Sequence, residues 1–286
     1  MILKEFISLF LENDVKDEKS SLSKKELIDL VRNENWKVRY AAAKNTKVAK
    51  EILEFLAKDE DSTIRQAVAN NINTPEEVLK LLINDEYSLV RETIAKNRNV
   101  SKDILKVLSK DKNSCVRLST AKSRKVTKEI LSLFVKDKSW NIRRATANNK
   151  NASENTLRIL AKDEYSYVKQ AVAKNLNTPN DVLKELSQDK SFWIKKAVAK
   201  NSNASENLLN VLSKDEDWEV RKSTAENLSV SKKVLEFLSK DEYWEVRESV
   251  AQNLKSPKEI LVLLSKDKKQ EVREFAVQNS NISIKK

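Results

Sequence analysis

The chain has 286 residues, with 55 Lys+Arg against 43 Asp+Glu for a formal net charge of +12, and it contains no Gly, no His, three Pro and one Cys. Without histidine there is no Ser-His-Asp triad or Cys-His dyad, and a single cysteine, Cys115, makes neither an internal disulfide nor a thiolate metal cluster. Without glycine, neither a Walker loop nor a dinucleotide fingerprint can bring the backbone close to phosphate. The chain is therefore read as non-enzymatic, with no catalytic residue, metal ligand or cofactor.

At the N terminus, MILKEFISLFLEND has its apolar residues interrupted by Lys4, Glu5 and Glu12. That pattern is unlike a secretory signal, and residues 1–22 are expected to form a helix that caps the fold. No run of 18 apolar residues follows, so no membrane span is expected. At 40% hydrophobic and 34% charged, the chain can bury a core beneath a very polar surface. One free cysteine agrees with a reducing compartment, and the protein is read as cytoplasmic.

From residue 23 to residue 282 the sequence repeats. Val or Ile followed by Arg or Lys occurs at Val38-Arg39, Ile64-Arg65 and Val90-Arg91, and so on to Val272-Arg273, ten copies in unbroken register at one constant step. The pair lies in strings such as IRQAVANN at 64–71 and IKKAVAKN at 194–201, and a 26-residue shift carries each copy onto the next. Between copies runs a second apolar segment with helical spacing, such as EEVLKLLIND at 76–85. Each unit thus predicts two short helices, here called A (the second segment) and B (carrying the Val-Arg pair).

Pro75, Pro179 and Pro257 share one column, each after Thr or Ser and two residues before Glu or Asp. The spacing predicts an N-cap, proline at the first helical position and an acid at the third, opening helix A. Asn45, Asn71, Asn97, Asn149, Asn175, Asn201, Asn227, Asn253 and Asn279 close helix B, with Ser123 as the exception, and a left-handed cap is expected there. Helices this short are marginal alone, so burial must come from stacking, with Val78, Leu79, Leu81, Leu82, Val90, Ala95 and their equivalents as the core. The expected architecture is all-α: a single right-handed alpha-solenoid domain over 1–286, with the cap at 1–22, ten two-helix repeats at 23–282 and a tail at 283–286.

The strings DKSWNIRRATANN at 137–149 and NTPEEVLKLLIND at 73–85 resemble the variant leucine-rich repeat family and, more loosely, a short HEAT-like repeat, over roughly residues 24–282. The resemblance implies a right-handed superhelix of paired helices, one of which is 3₁₀ in the variant leucine-rich form. The iron-sulfur cluster associated with that family is not carried over, because no cysteine cluster lies near the N terminus. It also implies pairing of the Val-Arg arginine with an aspartate, and here an Asp stands six residues before the basic residue in nine copies. A structural ladder of ion pairs is expected rather than a ligand site. Trp36, Trp140, Trp218 and Trp244 share a column at the start of helix B and are read as packing.

On helix B the residue before Val, the residue after Arg and the residue before Asn should form one exposed stripe, which lines the concave face in HEAT-like stacking. In units one to seven the stripe holds eight basic residues and one acid, with Tyr40, Lys44, Leu89, Lys96, Leu118, Lys122, Arg144, Tyr167, Lys174, Trp193, Lys196 and Lys200 as candidate partner contacts. In units eight to ten it holds one basic residue against six acids, among them Glu219, Glu226, Glu245 and Glu248. Residues 91–150 contain 17 Lys+Arg and 5 Asp+Glu, a net of +12 that equals the charge of the whole chain. Within that span Arg98, Arg124 and Lys150 occupy one loop column, with Lys125 beside them. The main expectation is a monomeric scaffold that grips a protein through the helix-B stripe. The alternative is nucleic-acid backbone binding through the basic patch.

Overall fold

In a computed structural model, the structure describes Arg32 and residues 35–282. The expected cap at 1–22 and tail at 283–286 lie outside the described residues. Among the described residues every regular element is helical. Ten nine-residue B helices are α1 (Trp36–Lys44), α3 (Ser62–Asn70), α5 (Ser88–Lys96), α7 (Ser114–Lys122), α9 (Trp140–Asn148), α11 (Ser166–Lys174), α13 (Phe192–Lys200), α15 (Trp218–Glu226), α17 (Trp244–Gln252) and α19 (Gln270–Gln278). Between them stand nine A helices: α2 (Lys50–Leu56), α4 (Glu76–Leu82), α6 (Lys102–Leu108), α8 (Lys128–Leu133), α10 (Glu154–Leu160), α12 (Asn180–Leu186), α14 (Glu206–Leu212), α16 (Lys232–Leu238) and α18 (Lys258–Leu264). The described A helices are α-helical, and among the described residues 3₁₀ geometry is confined to Phe134–Lys136 and Ser280–Ile282, so the described repeats pair α-helix with α-helix.

The chain divides into two compact units, Met1–Phe134 and Val135–Lys286. Within each, a B helix packs on the next B helix, and an A helix leans on the B helices before and after it, which is the arrangement of an alpha-solenoid. The sequence pattern explains both layers. A B helix such as α13 buries Ile194, Ala197, Val198 and Ala199, and the alanines let neighbouring B helices approach closely. An A helix such as α4 buries Val78, Leu79 and Leu82, each contributing roughly 1.5–3 kcal/mol relative to exposure.

Three sequence expectations need correction. Leu81 is 54% exposed, whereas Leu82 is buried. It belongs to a column of outward-facing A-helix residues that continues as Val107 and Leu133 in the first unit and as Ile159, Val211, Phe237 and Leu263 in the second. A seven-residue helix buries one face, here positions 78, 79 and 82, and position 81 lies outside it.

The prolines themselves take the N-cap position, as the extended backbone of Pro75 (φ −62°, ψ 154°) shows. The same column is filled elsewhere by Ser101, Thr127, Ser153 and Ser205, whose hydroxyls accept the amide three residues on. The Thr or Ser before each proline faces the other way: Thr74 and Thr178 donate to Val68 O and Val172 O at 2.6 Å, and Ser256 donates to Val250 O.

The asparagines that follow the B helices are extended rather than left-handed, and no described residue has positive φ. Their amides tie adjacent repeats instead. In the first unit Asn71 Nδ2 donates to Ala43 O and Asn45 O at 2.8 and 2.9 Å. In the second, Asn201 Nδ2 donates to Ala173 O and Asn175 O at 2.8 and 3.0 Å. Each Oδ1 then accepts the amide two residues on, as from Asn73 at 2.9 Å, so one buried side chain satisfies three backbone groups. A chain without glycine closes its helices this way.

Candidate functional site

Before any surface can be assigned to a partner, the residues that hold the repeats together must be set aside. Arg39, Arg65, Arg91, Arg143, Arg221 and Arg247 each bond through Nε to an aspartate of the next repeat (Asp59, Asp85, Asp111, Asp163, Asp241 and Asp267), at 2.5–2.7 Å. Lys169 and Lys195 make the same link to Asp189 and Asp215 at 2.9 and 2.8 Å. The aspartate six residues earlier offers only its backbone carbonyl, as Asp59 O does to Arg65 Nη1 at 2.8 Å. The ladder is therefore between repeats, and its hydrogen bonds raise the affinity of Arg65, Arg91, Arg143, Arg221 and Arg247 for their protons. The Arg247 hydrogen bond, ahead of the opposing burial, holds the Asp267 carboxyl below its ordinary value. Tyr87, Tyr165 and Tyr243 lie 5.4–5.6 Å from the guanidiniums of Arg65, Arg143 and Arg221, covering them. These arginines are committed to the scaffold.

In the second unit the helix-B stripe exists as a surface. Tyr167 and Trp193 are 60% and 53% exposed, and Lys174 and Lys200 face solvent beside them. The spacing 193, 196, 200 places Trp193, Lys196 and Lys200 on one side of α13, and Lys196 Nζ lies 5.3 Å from the Trp193 ring. On the neighbouring helices Arg144 sits 5.9 Å from the Tyr167 ring, and Tyr167 stacks on Trp140 at 5.5 Å. Trp140 also stacks on Tyr165 at 5.9 Å, so this tryptophan packs against both tyrosines. Gln170 Nε2 donates to Trp193 O at 3.4 Å, joining α11 to α13 on this surface.

Where the basic and acidic stretches meet, they neutralise each other. Lys196 pairs with Glu219, and Lys200 pairs with Glu226 at 2.9 Å. Glu245 and Glu248 on α17 are half-buried on the acidic side of this border. Four of the expected partner contacts are thus engaged with one another across α13 and α15, leaving Tyr167, Trp193, Arg144 and Lys174 as the open part of the basic surface.

In the first unit Tyr40 is half-buried with Lys44 Nζ 5.4 Å from its ring, Leu89 is exposed and Leu118 is half-buried. Lys96 and Lys122 end α5 and α7, and the loop residues Arg98, Arg124 and Lys125 follow them. All five line one open cleft of about 740 Å³, together with Ser119 and Ser123. The stripe and the loop column, which look separate in the sequence, converge because a residue ending helix B and the residue two positions on flank the same turn. Lys150 lies in the second unit, exposed on its loop, with its carbonyl accepting from Asn177 Nδ2 at 2.6 Å.

Among the described residues no group of three or more His, Cys, Asp or Glu side chains is placed to hold a metal ion, and Cys115 is exposed. Also among the described residues, no helix is long and apolar enough to cross a membrane. No family model and no curated protein matches the chain. Among solved structures it is similar to a leucine-rich repeat variant with a novel repetitive structural motif, with TM-score 0.59, 24% identity, and coverage of 77% of this chain and 87% of that one. The likeness shows the fold, an alpha-solenoid of repeated helix pairs. A weaker likeness, TM-score 0.49 at 13% identity, is to Kap121p bound to Ste12p, covering 97% of this chain but only 40% of that chain. Importin beta aligns at TM-score 0.35 and 12% identity. The shared solenoid fold covers the helix pairs, and the chemistry of the surface lies in this chain's own residues.

Proposed function

We propose that this helical-repeat protein is a monomeric, cytoplasmic, non-enzymatic scaffold that grips a protein partner through the exposed side of its B helices. The observation that carries this reading is the pair Tyr167 and Trp193, large aromatics held open on adjacent B helices, flanked by Arg144 and Lys174 and backed by Trp140. Rigid aromatics with a charged rim are the composition of interface anchors. Arg144 and Lys174 on one side of the neutralised border, and Glu245 and Glu248 on the other, orient the partner by complementary charge.

The test is affinity capture from the native lysate with the wild-type chain and with the Tyr167→Ala, Trp193→Ala double variant, followed by direct binding of the captured protein to both. The expected result is one partner lost by the variant, with the direct affinity down at least about tenfold. Equal capture and equal affinity refute the reading. The alternative, nucleic-acid backbone binding by the basic patch at 91–150, draws support from the cations gathered in the first unit's cleft, and it predicts a steep loss of oligonucleotide affinity with rising salt.

A further inference from the structure

The cleft between the C-terminal ends of α5 and α7 collects five cations, Lys96, Arg98, Lys122, Arg124 and Lys125, in a space of about 740 Å³. Like charges this close repel and raise one another's need for an anion. The acid beside them, Glu92, is engaged: Lys96 Nζ holds its Oε1 at 2.6 Å, and Ser119 Oγ lies 3.2 Å from the same oxygen. Lys125 acts at longer range on Glu76, whose carboxyl is held low first by its hydrogen bond to Lys80, then by Ser101, with the Lys125 charge adding to both. Among the described residues no carboxylate lies within ion-pair distance of Arg98 or Lys122, and both are exposed.

The cleft lining discriminates between kinds of anion. Arg98 offers a planar fork that matches the oxygens of a phosphate, and the lysines supply point charge around it. No aromatic residue lines the cleft, so a base has nothing to stack on. Toward the start of the chain the loop column continues as the uncharged Ile72 and Thr46, so the run of cations ends at Arg98 on that side. A phosphate monoester carries about −1.5 to −2 charges at neutral pH on three strong acceptor oxygens, which suits so large an excess of positive charge better than a single carboxylate does. Lys96 and Lys122 also belong to the helix-B stripe, so the pocket opens onto the surface assigned to the partner.

We propose that the cleft between α5 and α7 is a phosphate-binding pocket that takes a phosphorylated side chain of the protein partner. This rests on the protein-binding reading above, and it makes docking in the first unit conditional on the partner's phosphorylation.

The probe is O-phosphoserine, titrated into the full chain and followed by amide NMR shifts, with acetate and a twelve-nucleotide oligothymidylate titrated in parallel. The expected result is a saturable shift confined to residues 95–98 and 119–125, absent with acetate at the same concentration. The Arg98→Glu, Lys122→Glu double variant should weaken it at least about tenfold. The milder Arg98→Gln, Lys122→Gln variant should weaken it to an intermediate degree, with the helical circular dichroism of both unchanged. Shifts scattered over the lysine-rich surface, shifts equal to those with acetate, or no change in the double variant overturn the pocket. Oligothymidylate binding that outcompetes phosphoserine at the same residues replaces the phosphoprotein with a nucleic acid. A failed titration with partner capture intact removes the pocket alone. A successful titration with capture indifferent to Tyr167→Ala, Trp193→Ala removes the second unit's aromatic surface alone.

Discussion

The asparagine links between repeats make the strongest energetic prediction. Asn201 is buried, its Nδ2 donates to Ala173 O and Asn175 O at 2.8 and 3.0 Å, and its Oδ1 accepts the Asn203 amide at 2.9 Å. Asn201→Ala removes all three bonds and leaves Ala173 O and the Asn203 amide without that partner in a closed turn, while Asn175 O keeps the Thr178 amide at 3.1 Å. An orphaned buried polar group costs about 1–3 kcal/mol, and water entering the vacated space recovers part of that. The expected destabilisation is therefore about 3 kcal/mol, with a range of roughly 2–5. Asn203 is the internal control, since it makes a similar amide link to Leu176 O at the exposed rim, where water can replace it. Asn203→Ala should cost under about 1 kcal/mol. Urea denaturation followed by far-ultraviolet circular dichroism measures both. Because a solenoid can unfold in parts, the slope as well as the midpoint is to be compared, and a lower slope for Asn201→Ala signals neighbouring repeats coming apart. If Asn201→Ala lies within about 1 kcal/mol of wild type, or matches Asn203→Ala, the asparagine column is not what binds one repeat to the next.

Three further outcomes follow from the same geometry. Leu82→Ala should destabilise by about 2–5 kcal/mol and Leu81→Ala by less than about 0.5, measured by the same titration; equal losses would mean both leucines are core. The Asp267 carboxyl sits below its unfolded value because Arg247 holds it ionised. Its stabilising contribution is thus complete above the unfolded carboxylate pKa of about 3.9 and fades as pH falls through the lower folded value. Asp267→Asn should lower stability at neutral pH and flatten its decline in that acid window, whereas a parallel decline in both proteins would remove the pair from the account. For Lys200 and Glu226, exposed enough to be screened, a double-mutant cycle with alanine should return a coupling of roughly 0.2–1 kcal/mol that shrinks in about 1 M salt, and a larger, salt-insensitive value would contradict the exposed geometry.

The repeat and the two helices per unit were legible because they depend only on spacing within a unit, whereas the middle column of the expected stripe, Tyr40, Leu118, Lys196 and Glu248 among it, is half-buried. What a strict period conceals is which copy a residue touches. The aspartate shortly before an arginine and the one that follows it in the next unit fill the same column, so the pattern alone could not tell Asp59 from Asp85 as the carboxylate partner of Arg65. The same ambiguity hid the work of the asparagines, whose bonds to carbonyls 26 and 28 residues back reach the preceding unit. It also hid the pairing of Lys196 on α13 with Glu219 on α15. Leu81 misled for another reason: seven residues make two turns, too few for an apolar period to decide which of two adjacent leucines faces inward. The basic cleft was half visible, its five cations readable as two columns but their convergence dependent on the path of the turn between Lys96 and Arg98.

The ladder bonds, arginine to aspartate and asparagine to carbonyl, run between one repeat and its immediate neighbour, and none refers to a distant part of the molecule. A duplicated or deleted 26-residue segment would therefore present each new junction with the same donors and acceptors as the old one. The number of copies can therefore change without redesigning any single contact between neighbours.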